Sequence, residues 1–107
     1  MRVVDPEVNV EYRLVFQYNQ NIRVMTTLSG RVIPVKGVTE AILISEEDGE
    51  AKFWAEAYCS EFDQFNKIKG RTVALRKLGA QHLKPFRTAI WDAVRKAGVL
   101  VGGVSQR

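Results

Sequence analysis

The chemistry available to this 107-residue chain is concentrated in its second half, and most of it is basic. Lys67, Lys69, Arg71, Arg76, Lys77, Lys84, Arg87, Arg95 and Lys96 place nine cations in residues 67–96 against one carboxylate, Asp92. Nucleic-acid affinity comes chiefly from neutralising phosphates, so several Lys and Arg side chains on one surface are enough. On a helix, Lys69 and Arg76 share one face, and Lys67 and Arg71 share another. Lys69-Gly70-Arg71-Thr72 adds a second signal. A helix N-terminus offers free N–H groups to an anion, and a glycine lets the anion come close. The stretch is not a Walker motif, because it lacks the second glycine and the Lys-Ser/Thr pair. Gly70 has a simpler reading too, as a glycine that lets a helix lie close on a sheet.

Nucleophilic and metal chemistry have thinner support. Cys59 is the only cysteine and His82 the only histidine. A thiolate needs a base and an electropositive setting. However, Cys59 continues the alternating face Phe53, Ala55, Ala57, which reads as a small buried apolar residue. One Cys and one His do not complete a tetrahedral metal site, and Glu46-Glu47-Asp48-Gly49 lacks calcium-loop spacing. No cofactor, metal or catalytic constellation is expected. Phe62, Phe65, Phe86 and Trp91 flank the basic set and could stack on bases. Their helical spacing reads as core.

These residues must be positioned by strands followed by helices. Asp5-Pro6 breaks a loose lead-in over residues 1–7. Val8, Val10, Tyr12, Leu14, Phe16 and Tyr18 alternate with Asn9, Glu11, Arg13 and Gln17, which predicts a half-buried strand. Asn19-Gln20-Asn21 reads as a turn, residues 22–28 as a second strand, and Ser29-Gly30 as another turn. Residues 31–35 form a third strand, where Pro34 marks an edge or an end. Gly37-Val38-Thr39 then links to a fourth strand over 41–45. Asp48-Gly49 is a hairpin signal, and residues 51–59 are the fifth strand. Its second face carries Trp54, Glu56 and Tyr58.

Helical signals begin at Ser60, with Asp63 as a capping partner and Phe62, Phe65 and Ile68 recurring every three residues. Two arrangements fit Gly70: one helix running through it to Leu78, or a loop before a helix that opens near it. Gly79 reads as a C-cap. Pro85 suits the first turn of a last helix that Gly98 ends, with Arg95 and Lys96 at its negative pole. Residues 99–101 read as a short strand or a core cover.

Length and composition set the frame. One domain spanning 1–107 is expected, of ordinary globular composition, with 46% apolar and 26% charged residues. No apolar run reaches membrane-spanning length, and no signal peptide is apparent. A single cysteine fits a reducing cytoplasm. The formal charge of +4 hides an asymmetry: residues 1–66 hold six basic and eleven acidic residues. Such asymmetry points to an anionic partner, or to opposite surfaces that face one another within the fold or between protomers.

Cys59-Ser60, Asp63, Phe65-Asn66-Lys67, Gly70-Arg71 and Ala74-Leu75-Arg76 resemble a short segment of small bacteriophage and prophage proteins. The resemblance covers about a fifth of the chain. It implies a phage-type accessory protein of the bacterial host cytoplasm, of a kind that binds nucleic acid or host machinery and is seldom an enzyme.

The expected fold is α+β: a five-stranded, mainly antiparallel sheet followed by two C-terminal helices packed on one face. An OB barrel is a minor alternative. The expected function is non-enzymatic binding of DNA or RNA phosphates through Lys67, Lys69, Gly70, Arg71, Arg76, Lys77, Lys84 and Arg87. The alternative is an inhibitor or adaptor of a host defence protein, using Arg13, Gln17, Trp54, Glu56 and Tyr58. A homo-oligomer joining acidic sheet to basic helices is a third reading.

Overall fold

A computed structural model describes residues 1–60 and 67–98. Five strands precede two helices: β1 (Arg2–Asp5), β2 (Val10–Asn19), β3 (Val24–Thr26), β4 (Val32–Ser45), β5 (Ala51–Ser60), α1 (Lys67–Gly79) and α2 (Lys84–Ala97). Every pairing is antiparallel. The α+β expectation therefore holds.

β4 is the axis of the sheet. β2 lies on one side of it, from Tyr12 opposite Ser45 to Asn19 opposite Val38. β5 lies on the other side, and β1 extends the sheet beyond β2. β3 pairs with the first residues of β4, Val24 opposite Pro34 and Thr26 opposite Val32. The β2 and β3 registers run on almost without a break. The two strands are thus successive sections of one hairpin arm, and β3 with the start of β4 extends past the region that β1 and the helices cover.

Several sequence expectations need correcting. Residues 2–5 are a strand, not a loose lead-in. Their partners are the first residues of β2, and the Met1 ammonium donates to the Leu14 carbonyl at 3.1 Å. Val8 is exposed in the turn before β2, where Asn9 takes a left-handed φ of 56°. Asn19-Gln20-Asn21 bends the chain without reversing it, since β2 and β3 both run antiparallel to β4. The predicted third and fourth strands are one strand, β4, with Gly37-Val38-Thr39 inside it. The expected count of five holds because a missed strand replaces a divided one. Gly79 is an ordinary helical residue rather than a left-handed cap. The Ser60–Asp63 cap, Phe62, Phe65 and the predicted strand at 99–101 involve positions outside the described residues.

The other turn signals hold. Gly30 and Gly49 adopt φ of 86° and 74°, which side chains disfavour. Gly98, at φ 72°, closes α2 by donating its N–H to the Val94 and Arg95 carbonyls.

Both helices pack on the sheet face formed by Tyr12, Leu14, Ala41, Leu43, Ala55 and Ala57. α1 contributes Ala74, Leu75 and Leu78, and α2 contributes Phe86, Ile90 and Val94, all buried. Gly70 lies in the first turns of α1 and faces Thr39 of β4. A methyl group there would sit 2.6 Å from the Thr39 Oγ1 and 3.2 Å from its Cβ. The packing role is therefore real. It fixes where α1 opens over the sheet.

Candidate nucleic-acid interface

α1 opens beside β2, and this places the first basic residues. Lys67 and Arg71 line a cleft of about 220 Å³ together with Phe16, Gln17, Tyr18 and Thr39. The Arg71 guanidinium carbon stands 5.1 Å from the centroid of the Phe16 ring. That geometry suits a cation–π contact, and it holds a planar donor fork at the cleft. Lys67 and Lys69 are exposed and Arg71 is half-buried. Two cations, two aromatic rings and a threonine hydroxyl thus converge where the long hairpin leaves the sheet. Such a cleft can hold a phosphate against Lys67 and Arg71 with an apolar wall behind it.

The remaining cations are spread further along the helices. Arg76 and Lys77 fall in the last turns of α1, about 14–15 Å of helical rise from Lys67. Arg76 is exposed. The Lys77 ammonium donates to the Glu56 carbonyl at 3.0 Å, and the Gln81 amide donates to the Trp54 carbonyl at 2.9 Å. Both acceptors belong to β5, whose other side is unpaired among the described residues. Lys77 thus caps a sheet edge, a role its sequence context gave no sign of.

Arg87 passes over Gly79, where an added methyl would meet its Cγ at 3.0 Å. Lys84 follows Leu83, which lines a groove with Asp5, Glu7 and His82. The eight predicted nucleic-acid residues therefore form two groups. Lys67, Lys69, Gly70 and Arg71 lie toward the hairpin arm. Arg76, Lys77, Lys84 and Arg87 gather around the α1–α2 junction.

The opposing charges are also sorted. Asp48 and Glu50 lie in the turn beyond the far end of β4, paired with Lys52 at 2.8 and 3.3 Å. The hydrogen bond from Lys52 holds the Asp48 carboxyl below its usual range, aided by the Glu50 backbone. Among the described residues, the helical layer contains one ion pair, Asp92 with Arg95 at 2.6 Å. Glu61 and Asp63 lie outside the described residues.

The candidate protein-binding set is brought together on the sheet face opposite α1 and α2, which is helix-free among the described residues. Gln17, Glu40 and Glu56 form one cross-strand row, and Val15, Ile42 and Trp54 form the next. Arg13 lies opposite Ile44 and Tyr58 opposite Val38. Trp54 is 55% exposed. The Tyr58 hydroxyl donates to Glu56 at 3.3 Å, and burial, reinforced by the Glu56 charge, raises its pKa.

Cys59 and His82 do not form a pair. Cys59 lies opposite Gly37, whereas the His82 ring meets Phe53 edge to face, 4.5 Å away between centroids. Six strand residues separate these levels of β5, or about 20 Å. No group of three or more metal-ligating side chains occurs among the described residues. Among them, no helix is long and apolar enough to cross a membrane.

No family model, curated protein or solved structure matches this chain.

Proposed function

We propose that this chain is a non-enzymatic nucleic-acid-binding protein that holds phosphates through the cations of α1 and its surroundings, with little sequence preference. Charge segregation carries this reading. No carboxylate side chain occurs from Tyr12 through Thr39, or from Gln64 through Trp91. Those two stretches supply the hairpin arm, the Lys67–Arg71 cleft and most of both helices. The solvent side of this surface presents donors to an anionic polymer, and nothing in the two stretches repels it. The phage-type segment from Cys59 to Arg76 is compatible with such an accessory role in a host cytoplasm.

The test is titration of labelled single- and double-stranded DNA and RNA at several salt concentrations. With about four phosphates neutralised, affinity falls roughly a hundredfold between 50 and 200 mM salt. Affinity that is flat with salt, or no binding even at 50 mM, overturns the proposal.

The exposed indole of Trp54, set beside Ile42 and Val15, supports a second reading, in which the helix-free face binds a host protein. Aromatic anchors dominate such interfaces. On this reading Trp54→Ala abolishes capture of a host protein, identified by mass spectrometry, and leaves the unfolding transition unchanged.

A further inference from the structure

The segment from Ile22 to Val35 extends past the helical cover. It is a two-stranded ribbon in which Val24 and Val32 are exposed and Leu28 at the tip is fully so. The tip is built rather than slack. Thr27 donates its N–H to the Arg31 carbonyl at 2.8 Å, and Gly30 donates to the Thr27 carbonyl at 2.9 Å. The Thr27 hydroxyl accepts from the Arg31 N–H at 3.1 Å and shares a hydrogen bond with Ser29 at 2.9 Å. These bonds keep an aliphatic side chain in solvent. Arg23 and Arg31 flank the strands and are exposed.

We propose that this arm enters a groove of double-stranded DNA, with Arg23 and Arg31 on the phosphates and Leu28 pressed against a base step. The inference rests on the nucleic-acid reading and adds a surface and a substrate class to it. Three features favour a duplex. Two-stranded ribbons dock in the major or the minor groove of a duplex. An apolar tip is the kind of wedge that partly unstacks a step and bends the duplex. A single strand is held by aromatic stacking platforms, and residues 20–34 contain no aromatic residue. Charge also disfavours arm-to-arm pairing with a second copy of this chain, because the arm carries cations and no carboxylate. Three scattered aliphatic side chains fall well short of the roughly 800 Å² that each partner buries in a stable protein interface.

The experiment uses the full chain and a 25-base-pair duplex labelled at both ends, so that anisotropy reads affinity and energy transfer reads bending. A single strand of equal length serves as the comparison, and sedimentation velocity reads self-association. Wild type is expected to prefer the duplex and to raise the energy transfer. Arg23→Glu with Arg31→Glu should weaken duplex binding more than tenfold and lower the salt slope by about 1.8, the value for two phosphates. Leu28→Ser should retain most of the affinity and lose the bend. All three substituted positions are exposed, and thermal unfolding checks that each variant stays folded.

If wild type binds no nucleic acid at low salt, the functional reading itself fails and takes the arm with it. If wild type binds but the arm variants match it in affinity, slope and bend, the arm assignment alone is overturned. A wild-type dimer that the arm substitutions convert to monomer, with DNA binding unchanged, also overturns it.

Discussion

Gly70 shows how one residue couples two levels of structure. Alanine there would gain about 1 kcal/mol of helix propensity. The added methyl would also meet Thr39 at 2.6 Å, and overpacking of this kind costs about 1–3 kcal/mol. Gly70→Ala is therefore expected to destabilise the fold by about 1 kcal/mol net in urea unfolding. Thr39→Ala removes the colliding Oγ1, so the double variant should recover most of that loss. Equal losses with and without Thr39→Ala would refute the contact as the cause.

His82 gives a prediction in pH. Its ring lies between Phe53 and Phe86, with centroids 4.5 and 4.6 Å away, and its Nε2 is buried without a hydrogen-bond partner among the described residues. Burial lowers its pKa below 6.5, with Asp5 opposing the shift. The unfolded chain therefore takes up a proton more readily than the folded one. The stability it confers is intact above pH 6.5, falls as the pH drops through that value, and levels off once the folded pKa is passed. Urea midpoints at pH 7.5 and 5.5 should differ more for wild type than for His82→Phe. Identical differences would remove His82 as the source. The sequence suggests close packing at Gly70 but not its Thr39 partner, and it gives no sign of the His82 setting, because each depends on a neighbour about thirty residues away.

At the scale of elements, the sequence conveyed period better than pairing. The alternation in β2 and β5 sorted their faces correctly, since period two is a property of the chain itself. The division of β4 came from Pro34 and Gly37, which punctuate most strands. Here the sheet accommodates both. Val35 donates its N–H to the Arg23 carbonyl across the β3 side, so the neighbouring Pro34 would have donated toward the side where β5 pairing reaches no further than Val35, opposite Ser60. Gly37 sits at a register shift, where an added methyl would come within 2.7 Å of the Tyr18 hydroxyl. The two breakers mark an edge and a bulge within a continuing strand.

The side of β5 that has no strand partner among the described residues leads to a prediction at this same scale. Lys77 and Gln81 cover the Glu56 and Trp54 carbonyls, two acceptors on a strand that could otherwise template another chain. Replacing both with alanine should raise light scattering on warming before global unfolding, at a loss of about 1–2 kcal/mol in stability. Scattering that begins only with global unfolding, as in wild type, would show that these caps do not guard the edge.

At the scale of the whole molecule, charge follows the long hairpin. The molecule spans 40 Å along its longest axis, about five Debye lengths at physiological salt. Its two ends therefore present separate fields to a partner. One end holds the arm with Arg23 and Arg31, near the cleft of Lys67 and Arg71. The other holds the turn with Asp48 and Glu50, and Lys84 begins α2 beside the groove of Asp5 and Glu7. The sequence displayed the cations of residues 67–96 as one set, because a run has no direction. The fold divides them by what stands nearby. Lys67→Glu with Lys69→Glu should accordingly weaken nucleic-acid binding by more than about tenfold at low salt, since reversal both deletes and repels phosphate contacts. Lys84→Glu with Arg87→Glu makes the same change in net charge. In a field already lowered by Asp5 and Glu7 it should cost no more than about threefold. Equal losses for the two pairs would mean that net charge, rather than its placement by the fold, governs binding.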